Sequence, residues 1–510
     1  MFSVSDETAK LSSADRKMGQ TPAARIAIDL GAESGRVIVG TLADGRVALE
    51  EVHRFAHVPL WLPTGLHWDI TGIWREILSG LRKAVAWAAA NRCEIRSVGV
   101  DAWGVDWALV DKSGELVGLP HAYRDPRNLA AFDAVVAQLG SDRIYQATGI
   151  QLMAINSLYS LYAERLASPA ALAAADRFLF LPDLIHYWLS GEMAVEATIA
   201  STSQMVDCHT GDWACDLLTE LGLPTEILGS IVPPGTVVGT LRAQVASEIG
   251  LGDAAAAGRV QVIAPAAHDT ASAVAAVPAT AEENWCYLSS GTWSLLGAEL
   301  PDPCVSAAAQ AAMFTNELGV GGKTRFLKNI PGLWLVQECR RELARRGQES
   351  DYASLTRLAA AAEAFRTRID PLDVSFQTPG DILDKIADVA RATNQPVPES
   401  PGEFVRCCLE SLASTYRDKL VAMESILGRR FDVIHVVGGG GQNKLLAQMT
   451  ADATGRRVVV GPYEAAALGN LLVQAMAGGE VADVGEIRQI VGRSFELVAY
   501  EPTAGSGWLS

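Results

Sequence analysis

The sequence predicts an α/β protein on three observations. β-rich runs alternate with amphipathic helical stretches, a strand–polar loop–strand hairpin recurs in each half, and a buried run near the end breaks into four glycines before a helix. With 510 residues, 49% hydrophobic and 20% charged, the chain has ordinary globular composition and can bury a full core. At roughly 150 residues per domain the length fits two large units or three ordinary ones.

Residues 1–22 are polar, mix both signs of charge and lack the apolar centre of a secretory signal, so they read as a loose tail. IAIDLGAESGRVIVGTL then sets two β-rich runs around a Gly and Ser loop. RVALEEVHRF follows across the turn Ala43, Asp44, Gly45, which predicts a three-strand meander. From Ile70, apolar residues at Ile73, Trp74, Ile77, Leu78, Leu81 and Val85 recur at spacings of three and four. They predict a long helix with Asp69 as its N-cap. SVGVDAWGVDWALVDKSGELVG returns to strand character, with a turn at Lys112, Ser113 and Gly114.

The second half repeats the plan. VQVIAPAAHDTASAVAAV predicts a buried strand, a loop and an Ala-rich helix, and CYLSSGTWSLLGAEL predicts a second hairpin around Ser289 to Thr292. FDVIHVVGGGGQNKLLAQMTADATG predicts a strand, a glycine loop and a helix, where free N–H groups and the helix dipole favour a flat or anionic ligand. The expected division is a domain at 23–268, a domain at 269–495 and a C-terminal tail at 496–510.

Composition narrows the function. Forty-two basic against 59 acidic residues leave a net charge of −17, which would repel a nucleic acid backbone in the absence of a basic patch. The densest basic run, Arg340 to Arg346, contains Glu342 and reads as the wet face of a helix. Eight cysteines without C-x-x-C spacing suit reduced thiols in a cytoplasmic protein. No stretch reaches the roughly 18 apolar residues of a membrane span.

No common nucleotide fingerprint is present, and Gly322, Lys323, Thr324 fails as a P-loop because position 317 is Glu. The two hairpins, Asp29 to Arg36 and Ser289 to Trp293, are candidates to offer backbone N–H and hydroxyl donors to a triphosphate from opposite sides of a cleft. Asp29 ends a strand where a carboxylate can hold hydrated Mg²⁺, although capping the turn is an equally simple role. Arg36 can meet phosphoryl charge or pair with a carboxylate. Asp269 can accept a hydroxyl proton or cap a helix.

Read together and in this order, DLGAESGR, DAWGVDW, YRDPR, HDTASAV, YLSSGTWSLLG, LKNIPGLWLVQE and HVVGGGGQN resemble the FGGY carbohydrate kinases, from about residue 24 to 495. The likeness is strongest to the branch that acts on L-rhamnulose. It implies two actin-like, ribonuclease-H-type domains with a ligand cleft between them, and transfer of a phosphoryl group from Mg-ATP to the terminal hydroxyl of a ketose. Carried over by motif, Ala32, Glu33, Ser34, Gly35 and Arg36 match the first phosphate loop, and Asp29 matches the metal position. Thr292, Gln337 and Gly439 match nucleotide contacts. Gly104, His268, Asp269, Thr270 and Asn329 match sugar contacts, and Asp269 matches the proton acceptor.

Glu33 departs from the Ser of some relatives, and its carboxylate would repel phosphate unless it points away or toward Mg²⁺. Gly441 replaces a side chain that some relatives carry after the glycine triplet. The expected partners are a small ketose, L-rhamnulose first and L-fuculose or xylulose as alternatives, and ATP, in a monomer or homodimer. A sugar- or nucleotide-binding regulator on the same fold is the competing reading. The presence of Asp29, Arg36, Asp269 and Thr292 weighs against it.

Overall fold

The computed structural model describes residues 21–348, 350–377 and 380–508. All but the last two residues of the expected N-terminal tail lie outside the described residues. The first sheet is built from the predicted meander, β1 (Ala23–Leu30), β2 (Ser34–Ala43) and β3 (Arg46–Ala56), paired antiparallel. β1 is buried along almost its whole length, as a central strand covered on both faces should be. Helix α1 (Ile70–Asn91) follows, its N-terminus capped by Asp69, which accepts from Gly72 N at 2.8 Å. The apolar positions Ile73, Ile77 and Leu81 lie on its buried face.

β4 (Glu94–Ala102) then joins β1 in parallel, and β5 (Thr236–Thr240) and β6 (Gln261–Ala264) complete the order β5-β6-β4-β1-β2-β3. The sequence after Ala102 leaves this sheet, because Trp107–Val110 pairs instead with Arg177–Phe180 in a separate ribbon. Helix α2 (Asp269–Ala275) leads to the second sheet. That sheet comprises β7 (Trp285–Ser290), β8 (Ser294–Leu300), β9 (Thr315–Leu318), β10 (Thr324–Ile330), β11 (Val433–Val437), β12 (Arg457–Val460) and β13 (Val498–Tyr500). Helix α3 (Trp334–Arg345) follows β10, α4 (Lys444–Thr454) follows β11, and α5 (Ala465–Ala477) follows β12.

The second sheet has the order β9-β10-β8-β7-β11-β12-β13. It repeats the first: β7 is antiparallel to β8 and, beyond it, β10 is antiparallel to β8, while β11 and β12 run parallel on the other side and an antiparallel strand closes the edge. β1 stands in the same relation to β2, β3, β4, β6 and β5. The two hairpins recognised in the sequence are therefore the same element of one duplicated plan.

The halves meet at α5. Asn470 Nδ2 donates to Asp101 Oδ2 at 2.6 Å, Gln474 Nε2 donates to Ile26 O at 3.0 Å, and Ser97 Oγ donates to Gln474 Oε1 at 2.6 Å. This buried polar strip ties α5 to β1 and β4, and every bond in it is short enough to matter where water is excluded.

Of the segment 496–510, expected as a tail, the described residues 496–508 depart from that expectation in two features, and 509–510 lie outside the described residues. β13 pairs with β12, and Trp508 is buried with its ring edge-on to Phe365 at 5.0 Å. Three residues of strand carry too little periodicity to be recognised without their partner. Among the described residues, no helix is long and apolar enough to cross a membrane.

Candidate functional site

The carboxyl ends of β1, β4 and β7 face one cleft, where open α/β sheets characteristically place ligands. Its cavity is about 280 Å³, and Asp29, Ala32, Arg36 and Gly104 line it from the first half. Thr292, Asn329 and Gly439 line it from the second, and His268, Asp269 and Thr270 lie where the halves join.

The other four sequence-selected residues are not among those that line it. Glu33 accepts from Arg341 Nη2 at 2.6 Å, so the carboxylate that threatened the phosphate loop is engaged by a guanidinium of the opposite half. Ser34 closes the loop through its carbonyl, which accepts from Gly31 N at 3.0 Å. Gly35 packs beneath the Phe55 ring, where a Cβ would come within 2.2 Å of Cζ. Gln337, on α3, donates through Nε2 to Thr292 Oγ1 at 3.2 Å and so braces the second loop.

Asp29 and Arg36 face each other across the β1–β2 hairpin and form an ion pair, and Arg36 reaches on to Glu464 of the second half. Asp29 is therefore not simply a turn cap. On its other side it neighbours Asp101 of β4 in register. Burial, reinforced by the Asp29 charge, holds the Asp101 carboxyl well above the usual carboxylate range, and its Oδ1 is buried without a hydrogen-bond partner. Crowded carboxylate oxygens with one unsatisfied atom fit a hard divalent cation that takes oxygen ligands.

Asp269 begins α2, but the N-cap is His268. The Asp269 side chain is thus free of the capping role. It accepts from Thr270 Oγ1 at 3.1 Å and keeps 28% exposure toward the cleft. Burial and then the Asp29 charge raise its carboxyl, against the opposing pull of His268.

His268 is held from behind by residues that sequence reasoning did not select. Its main-chain N–H donates to Thr198 Oγ1 at 3.1 Å, Arg325 Nη2 lies 3.0 Å from its Nδ1, and Glu317 Oε2 lies 2.9 Å from Arg325 Nη2. Glu317 and Arg325 are register partners on β9 and β10. Charged residues inside two otherwise apolar buried strands, with opposite signs at the paired positions Glu317 and Arg325, are the signal that could have found them.

Beside Gly104, Trp103 and Trp68 both donate their indole N–H to Asp106 Oδ2, at 2.7 and 2.6 Å. Asp106→Ala leaves two buried donors unsatisfied and should cost about 2–6 kcal/mol in denaturant unfolding. Burial pushes the Asp106 carboxyl up to about 7, so the folded chain keeps this proton where the unfolded chain has lost it. The associated stability is full below about pH 4, the ordinary carboxyl value, and is lost as pH rises through about 7. Asp106→Asn should retain the acceptor and flatten that slope.

The glycine loop after β11 also presses on the second hairpin. A Cβ on Gly440 would meet Ser290 Oγ at 2.2 Å and its carbonyl oxygen at 2.8 Å, whereas a Cβ on Gly439 would meet nothing within 4 Å. Gly440→Ala should therefore lower the thermal midpoint, because overpacking of this kind costs about 1–3 kcal/mol. Gly439→Ala should leave the midpoint unchanged, since its methyl group would meet open space.

Residues 24–275 match the family model described as FGGY family of carbohydrate kinases, N-terminal domain, and residues 286–478 match the corresponding C-terminal domain. A rhamnulokinase of Bacteroides thetaiotaomicron is 44% identical over 483 residues, covering 94% of this chain and 96% of that protein. One of Oceanobacillus iheyensis is 39% identical over 482 residues, covering 94% and 99%. Among solved structures, a gluconate kinase from Lactobacillus acidophilus superposes with a TM-score of 0.76 at 14% identity, covering 94% of each chain. A xylulose kinase from Rhodospirillum rubrum gives 0.74 at 19% identity, with the same coverage of both chains. The duplicated sheets, the cleft with its paired hairpin loops and the two domain matches have one common explanation: the chain belongs to the FGGY family of carbohydrate kinases.

Proposed function

We propose that the protein transfers the γ-phosphoryl group of ATP to the terminal hydroxyl of L-rhamnulose, giving L-rhamnulose 1-phosphate and ADP. The observation that carries this reading is Asp269, a carboxyl with raised proton affinity at the start of α2, in the cleft between the two hairpin loops. In the proposed step Asp269 takes the proton of the attacking hydroxyl. The freed oxygen bonds to the γ-phosphorus, and the bond from that phosphorus to the bridging oxygen of ADP breaks. The curated relatives named rhamnulokinase, at 39–44% identity, support the choice of sugar.

Asp29, with Asp101 behind it, would hold Mg²⁺. The chemistry such an ion supplies is neutralisation of charge on the phosphate oxygens. Arg36 and the loop N–H groups from Ala32 onward face the phosphates from the first half, and Thr292 and Gly439 from the second. Gly104, His268, Thr270 and Asn329 orient the sugar, so that the reacting atoms start aligned. We also take 23–268 and 269–495 as the two domains, with α2 at their junction.

The deciding experiment is ADP release with Mg-ATP across L-rhamnulose, L-fuculose, L- and D-xylulose, glycerol and no sugar. Turnover highest with L-rhamnulose supports the proposal. A preference for another ketose would leave the kinase and change its sugar, and sugar binding without turnover would favour the regulator.

The pH profile supplies an independent check. A base must be ionised to act, so kcat/KM should fall as pH drops through the Asp269 pKa, at a pH above that of an ordinary carboxyl.

A further inference from the structure

We infer that Arg325 and Glu317 are positioning residues that fix His268 as the neutral tautomer with its proton on Nε2, so that the ring donates a hydrogen bond into the cleft. The inference deepens the sugar-kinase reading and rests on it for the identity of the acceptor, an oxygen of the bound ketose.

Arginine has only donors and stays charged. With Arg325 Nη2 at 3.0 Å, Nδ1 of His268 must present a lone pair. A neutral imidazole that accepts at Nδ1 carries its hydrogen on Nε2. Nε2 lies 3.5 Å from Asp269 Oδ1, too long for a strong bond, so this N–H is available to a ligand lying between the ring and the cleft. The arrangement leaves Asp269 free to accept the hydroxyl proton while its neighbour donates to the same sugar.

Glu317 explains why an arginine is tolerated there. Arg325 is fully buried, its side-chain exposure is 0%, and that of Glu317 is 6%. An unpaired charge at that depth would be strongly destabilising. Burial acts to raise the Glu317 carboxyl, but the Arg325 guanidinium first and His268 after it outweigh burial and hold the carboxyl below its usual value. Arg325 Nε also donates to Leu318 O at 3.0 Å, which pins the guanidinium plane to β9. Glu317 Oε2 itself lies 3.3 Å from Nδ1. If Arg325 were removed, that carboxylate would draw a proton onto Nδ1, and Nε2 would turn a lone pair toward Asp269 and the sugar. Ring orientation would be preserved while the donor was lost.

The test reads the tautomer directly. In protein carrying ¹⁵N-labelled histidine, without ligand at pH 8, the His268 imidazole is assigned by comparison with His268→Gln. A protonated Nε2 and an unprotonated Nδ1 are expected. A proton on Nδ1, or on both nitrogens, overturns the inference. Arg325→Met should move the proton to Nδ1 and raise the KM for the ketose about 10- to 100-fold, the effect of one unmade polar contact in a buried site. The KM for ATP should change less than about twofold on the same reasoning, since the nucleotide does not meet this ring.

Adding Glu317→Gln to that variant supplies an amide N–H to Nδ1 and removes the orphaned charge. It should return the proton to Nε2 and recover most of the sugar affinity. Equal effects on both KM values, or a double variant that does not recover, would show that Arg325 serves only the fold. Should Arg325→Met fail to fold, the spectrum of the unaltered protein decides alone. Because that spectrum needs no substrate, an absence of sugar turnover would remove the proposed reaction and leave the tautomer assignment standing.

Discussion

Asp269→Asn should lower kcat about 10²- to 10⁴-fold, the range that a positioned general base contributes, while the protein still folds and binds both substrates. Asparagine has the shape of aspartate and retains the oxygen that accepts from Thr270 Oγ1, so the start of α2 should not move. His268 remains the N-cap of that helix, and no capping energy is lost. The variant loses only the capacity to take a proton as the γ-phosphorus approaches.

Positioning and electrostatic terms survive in that variant, so residual turnover above the uncatalysed rate is expected. The measurement pairs steady-state ADP release with calorimetric titration of the ketose. A loss below about tenfold, smaller than any positioned base contributes, would mean that another group or solvent accepts the proton. Loss of sugar binding in step with kcat would instead make Asp269 a ligand for the sugar more than a base.

Much of the architecture was legible because it is local. Alternation marked β1 to β3, the three-and-four spacing marked α1 and its Asp69 cap, and both hairpin loops announced themselves by small residues between apolar runs. Asp29 and Arg36 were selected one by one, and their pairing follows from the register of a short hairpin.

What escaped is non-local. Glu33 read as a hazard to phosphate until Arg341, more than 300 positions away, came to rest beside it. Glu317 and Arg325 went unselected because neither strand reveals that it flanks His268. Asp101 sat in a quoted motif, but only the parallel pairing of β1 with β4 sets it against Asp29. The departure of Trp107–Val110 from the main sheet has the same origin, since its partner strand lies far along the chain.

Gly469→Ala should be among the most damaging single-methyl changes in the protein, lowering stability by about 3 kcal/mol or more, at or beyond the upper end for overpacking, and activity with it. Here α5 crosses α2 so closely that a Cβ would lie 1.8 Å from the carbonyl oxygen of Ser272 and 2.4 Å from its carbonyl carbon. The obstacle is backbone, which cannot rotate away as a side chain can, so the helices must separate. Separation is resisted on both sides. α5 is tied to β1 and β4 by Asn470 and Gln474, and α2 is held by Ser272 Oγ, which donates to Ala266 O at 2.7 Å. Whatever part of the displacement α2 takes up reaches Asp269, three residues before the clash. A misplacement of about 1 Å can cost on the order of 10²-fold in rate. Thermal unfolding and kcat should fall together in Gly469→Ala, whereas Asp269→Asn should lower kcat alone. A Gly469→Ala protein with unchanged midpoint and turnover would mean that the two helices are not packed this closely in solution, and that the position of Asp269 is set by something other than their crossing.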